Sequence, residues 1–74
     1  MDYYTVNQIA KVLDAPSVHS TTLDVVHNFQ NAKKRNPGFV PQKKDVASSL
    51  SLMEAKRHNL AVEAFLALES GERQ

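Results

Sequence analysis

Seventy-four residues leave room for one compact domain, because a second core would need roughly fifty residues of its own, so residues 1–74 are expected to fold as a single unit. A hydrophobic fraction of 42% and a charged fraction of 23% suit a water-soluble globule, and no apolar run approaches the roughly 20 residues of a membrane span. The chain has no Cys, which excludes disulfides and thiolate metal sites and fits a reducing compartment. The opening Met1-Asp2-Tyr3-Tyr4-Thr5 carries neither the basic nor the apolar region of a signal peptide, so a cytoplasmic location is expected.

Thr5-Val6-Asn7-Gln8 has the spacing of a capping box, and Tyr4 with Ile9 forms the flanking hydrophobic staple. A helix is therefore predicted from Thr5, with Val6, Ile9, Ala10 and Leu13 along its apolar face. Asp14-Ala15-Pro16-Ser17 ends it, since Pro16 cannot continue a helix and disfavours helical backbone at Ala15. Ser17 or Ser20 can cap a second helix reaching about Arg35, with Val18, Thr22, Val25, Val26, Phe29 and Ala32 on one side. Ser20, Thr21, Asp24, His27, Asn28, Asn31, Lys34 and Arg35 gather on the other.

Asn36-Pro37-Gly38 breaks the second helix, Phe39 and Val40 are expected to fold back as apolar anchors, and Pro41 suits the first turn of a third helix. Val46, Ser49, Leu50, Met53, Leu60, Ala64, Ala67 and Leu68 fall along one stripe from about Gln42 to Ser70, ending at Gly71 as a left-handed stop. Ser48-Ser49-Leu50-Ser51 is poor helix material, however, and Ser51-Leu52-Met53-Glu54 is a second capping box, which favours two helices over one. The expected fold is all-α: a small bundle of three or four helices with a long C-terminal helix.

Catalysis is not expected. There is no cysteine, no Gly-x-Ser-x-Gly elbow and no Gly-rich phosphate loop, and the carboxylates are scattered along the chain. His19, His27 and His58 include no i, i+4 pair, so no metal site is expected, nor any cofactor or small-molecule substrate. Charge is more informative. Lys33, Lys34, Arg35, Lys43 and Lys44 supply five of the nine cations in a stretch without any acid, whereas Glu63, Glu69 and Glu72 make the end acidic. A molecule with a basic pole and an acidic tail is expected, and a basic pole is the usual footprint for phosphate.

Tyr4-Thr5-Val6-Asn7-Gln8-Ile9-Ala10-Lys11-Val12-Leu13 resembles the first helix of helix-turn-helix and winged-helix DNA-binding domains, and the resemblance extends over about Thr5 to Gln30. It implies a helix-turn-helix-like N-terminal half whose second helix enters the major groove. Ser20, Thr21, Asp24, His27 and Asn28 would then meet base edges, with Lys33, Lys34 and Arg35 near phosphates and Lys43 and Lys44 extending the basic surface. On the last helix Val62, Phe65 and Leu66 fall outside the main stripe, and a domain this small has core for only one side, so they are expected to form a homodimer or partner interface. The function expected from the sequence is a dimeric DNA-binding, transcription-regulatory module. The rival is an adaptor or inhibitor that docks on a larger protein through its last helix.

Overall fold

A computed structural model describes residues 2–71. Thr5 opens α1 (Val6–Leu13) as its spacing predicts: the Thr5 hydroxyl accepts from the Gln8 amide at 3.1 Å, and the Gln8 side chain accepts from the Thr5 amide at 2.8 Å. Two helix-end donors are thereby satisfied within one turn. Thr5→Ala should cost about 1 kcal/mol, read as a lower melting temperature, because an α1 amide loses its acceptor; equal melting curves would mean that the cap contributes nothing. At the other end Asp14 adopts left-handed backbone (φ 53°), and its N–H reaches the Ala10 and Lys11 carbonyls. The helix is already closed two residues before Pro16.

α2 (Ser20–Arg35) is capped by His19, not by either serine: the imidazole Nδ1 accepts from the Thr21 amide at 3.1 Å. An imidazole nitrogen one residue before the helix does the work expected of a Ser hydroxyl, and Ser20 becomes the first helical residue. Thr22, Val26 and Phe29 face inward as the periodicity predicts, joined by Gln30, a polar side chain whose burial the pattern does not signal. α2 ends at Asn36, which holds the following turn by accepting Gly38 and Phe39 amides.

Residues 39–45 form no helix. Pro41 is buried in an irregular segment, Phe39 packs against the core with its ring 6.0 Å from Phe29, and Val40 points to solvent at 58% exposure. Two side chains of the last helix pin this segment: Asn59 donates to the Lys44 carbonyl and accepts its amide, and His58 Nε2 bonds the Gln42 carbonyl at 2.8 Å. A single 3₁₀ turn follows at Val46–Ser48, and α3 (Leu52–Glu69) starts only after Ser51, whose hydroxyl accepts from the Glu54 amide at 3.2 Å. The break at the serine run is real, and the C-terminal helix is about a third shorter than an unbroken run from Gln42. Gly71 takes left-handed backbone (φ 84°) just past its end.

α1 and α2 both pack against α3, which makes α3 the spine of an all-α bundle. No described helix is long and apolar enough to cross a membrane. The inward arc of α3 differs from the stripe that the sequence suggests. Val62 (2% exposed) and Phe65 (1%) sit inside the core with Ala61, Ala64 and Leu68, whereas Leu60 (43%), Met53 (56%) and Leu50 stand outside it. An α3 flanked on two sides buries a wider arc than a stripe of one residue per turn, and the arc carrying the largest ring is the one it buries. Phe65 meets Phe29 edge-on with centroids 5.7 Å apart, and His58 meets the same ring at 5.4 Å.

Candidate interaction surface

Two surfaces invite a partner, one polar and one apolar. The polar one is the outer face of α2. Ser20, Thr21, Asp24 and Asn28 are exposed along it, and Lys34 and Arg35 are exposed at its C-terminal end, roughly 20 Å from Ser20 at 1.5 Å per residue. His27 is not among the free groups. Its Nε2 bonds the Tyr4 carbonyl at 3.0 Å and its ring lies 4.6 Å from that of Tyr3, so its hydrogen-bonding edge serves to hold the N-terminal segment.

The expected separation of a basic pole from an acidic tail does not hold for the described acids. Lys33 pairs with Glu69 at 2.5 Å and Lys43 with Glu63 at 3.5 Å, so α3 lays two of its carboxylates beside the lysines; Glu72 lies outside the described residues. Tyr4 also donates its hydroxyl to Glu69. The hydrogen bond from Lys33, reinforced by the one from Tyr4, holds the Glu69 carboxyl below its ordinary range. Burial, together with the bond to that carboxylate, pushes the Tyr4 phenol up to about 12. This cluster joins the N-terminal segment, α2 and the end of α3. Lys34, Arg35 and Lys44 remain as exposed cations outside any ion pair among the described residues, although the Lys44 backbone is tied to Asn59.

The apolar surface lies where α1 meets α3. Leu60 and Leu13 together line two adjoining clefts. One, of about 540 Å³, continues along Val12, Glu63, Leu66 and Ala67. The other, of about 380 Å³, runs under the α1–α2 turn past Val18 to Met53, Lys56 and Arg57. Of the three residues expected to form an interface, only Leu66 is on the surface, at 42% exposure; Val62 and Phe65 are spent on the core, and Leu60 and Met53 take their place outside. The sequence holds a signal for this: Met53, Lys56, Leu60, Glu63 and Ala67 recur at spacings of three and four, and the charges among them mark an arc that meets water.

Among the described residues no group of three or more His, Asp or Glu side chains is placed to hold a metal ion. The chain matches no protein-family model, no curated protein and no solved structure.

Proposed function

We propose that the chain is a protein-interaction module that docks through the α1–α3 face around Leu60. The observation that carries this reading is that Leu60, Leu66 and Met53 stay about half exposed beside two clefts while the core cluster forms without them. Leaving such side chains in water forgoes about 25 cal/mol for each Å² of apolar surface, and contiguous patches of this kind mark sites that another helix covers. Lys56 and Arg57 at one end and Glu63 at the other give the face a direction as well as an affinity for apolar surface.

Phosphate contact, as in the DNA-binding reading, is the second possibility, and the observation that favours it is the exposure of Lys34 and Arg35 at the C-terminal end of α2 and of Lys44 in the segment that follows it in the chain. Three such cations would release about three counterions, a weak and steeply salt-dependent interaction. One experiment separates the two: capture from extract by the immobilised chain, with and without nuclease. Docking through the apolar face predicts proteins retained equally in both samples, lost with Leu60→Glu/Leu66→Glu and kept with Lys34→Glu/Arg35→Glu. Retention that disappears with nuclease, with added salt and with the charge reversals would overturn the docking reading in favour of nucleic acid.

A further inference from the structure

We infer that His19 is a proton-sensitive latch: it holds the start of α2, and with it the α1–α2 turn, only while its imidazole is neutral. Each ring nitrogen has a role that its partner dictates. A backbone N–H can only donate, so Nδ1 of His19, which receives the Thr21 amide at 3.1 Å, must keep its lone pair, and the ring proton must sit on Nε2. A backbone carbonyl can only accept, so Nε2 of His27, bonded to the Tyr4 carbonyl at 3.0 Å, and Nε2 of His58, bonded to the Gln42 carbonyl at 2.8 Å, must both donate. A second proton on the ring leaves those two bonds in place and removes the one at His19. Of the three imidazoles in the chain, His19 alone has a role that a proton undoes.

Protonation does more at His19 than remove an acceptor. The ring then carries a positive charge at the N-terminal end of a 16-residue helix, where the aligned peptide dipoles already present positive charge. The surroundings do not offset it. The first turn of α2 holds no acid, Lys56 and Arg57 of α3 line the cleft of about 380 Å³ together with His19, and α1 and the turn contribute only uncharged side chains there. Asp14 and Asp24, the nearest acids along the chain, stand five residues to either side, and no ion pair among the described residues joins them to the ring. The proton and the cap therefore exclude one another. The cap is favoured above the ordinary titration range of histidine, about pH 6.5, and is lost as the pH falls through that range.

What the cap holds is one wall of that cleft. The Ala15 amide, bonded to the Ala10 carbonyl at 3.0 Å, closes the α1 end of the turn, and the His19 cap closes the α2 end. Ser17 and Val18, which lie between, line the cleft, so acid loosens the wall they form. The switch itself does not depend on the docking reading; only its effect on a docked partner rests on it.

Two measurements test the latch. The first compares the parent with His19→Asn, whose side-chain acceptor is a favoured cap that does not titrate. His27 and His58 are present in both proteins, so their titration cancels. In urea unfolding at about pH 8 and about pH 5, the folded-to-unfolded ratio of the parent should fall about five-fold further than that of His19→Asn, the equivalent of one N-cap. The second needs only the parent. In NMR spectra at the higher pH the ring-nitrogen shifts of His19 should mark Nδ1 as the nitrogen without a proton, and the Thr21 amide resonance should move as the ring titrates. Equal losses of stability in the two proteins, a neutral His19 ring with its proton on Nδ1, or a Thr21 resonance that stays in place during the titration would each overturn the inference. Neither measurement involves a partner, so the latch and the docking reading fail separately.

Discussion

Phe65→Ala is expected to destabilise the domain by about 3–5 kcal/mol, the usual cost of deleting a fully buried ring. The side chain is 1% exposed and packs edge-on against Phe29, which in turn touches His58 and Phe39, so its removal leaves a cavity at the junction of α2, α3 and the loop before the 3₁₀ turn. At about 0.05–0.15 kcal/mol per residue, a chain of this length has roughly 4–11 kcal/mol of stability in total. The variant should therefore be largely or wholly unfolded near body temperature, and Phe65→Lys, which also buries a charge, should not fold at all. Urea unfolding followed by circular dichroism provides the measurement. Leu66→Ala, one residue on and 42% exposed, is the control and should change stability far less. A Phe65→Lys protein that folds as a monomer would place the ring on the surface and contradict the core described above.

Gln30→Leu is expected to cost about 1–3 kcal/mol although it exchanges a polar side chain for an apolar one in a buried position. Gln30 is 8% exposed, and its amide holds the segment before α1 at two points: Oε1 accepts the Tyr4 amide at 3.1 Å, and Nε2 donates to the Asp2 carbonyl at 3.4 Å. Leucine would leave the Tyr4 N–H in a half-buried place without its acceptor. His27 and Asn31 would still bind the segment, through the Tyr4 carbonyl and the Tyr3 hydroxyl, so the domain should stay folded with a loosened N-terminal segment. Faster hydrogen exchange at the Tyr4 amide together with a lower melting temperature is the expected signature. Asn31→Ala, which removes an exposed bond, should change stability by less than about 0.5 kcal/mol. Unchanged exchange at Tyr4 in Gln30→Leu would show that the glutamine does not anchor the segment.

The two candidate surfaces differ in how far they could be read from residue order. The exposed cations Lys34 and Arg35 follow from the periodicity of α2, and their position at its end is where the sequence puts them. The partial neutralisation of their neighbours does not follow, because Lys33 and Glu69 are 36 positions apart. The same holds for the apolar face. A reader of the sequence sees that α3 has more apolar positions than one stripe can use, but the choice of Val62 and Phe65 for the core and Leu60 for the surface depends on the helices laid on either side.

What the sequence by itself determined is what a few adjacent residues can enforce. The Thr5 box, the Ser51 cap, the left-handed stop at Gly71 and the breaks near Pro16 and at Asn36 each involve groups within about one helical turn, where covalent geometry brings donor to acceptor whatever the rest of the chain does. The tertiary structure decided everything that needs distant groups to meet: the inward arc of α3, the glutamine and histidine that hold Tyr4 across 26 and 23 positions, and the pinning of the Gln42–Lys44 segment by His58 and Asn59. The physical reason is the same in each case. A helix such as α3, apolar on more than one side, has nearly equal local free energy in any rotation about its axis, and only the rings and helices packed against it make one rotation lower than the others.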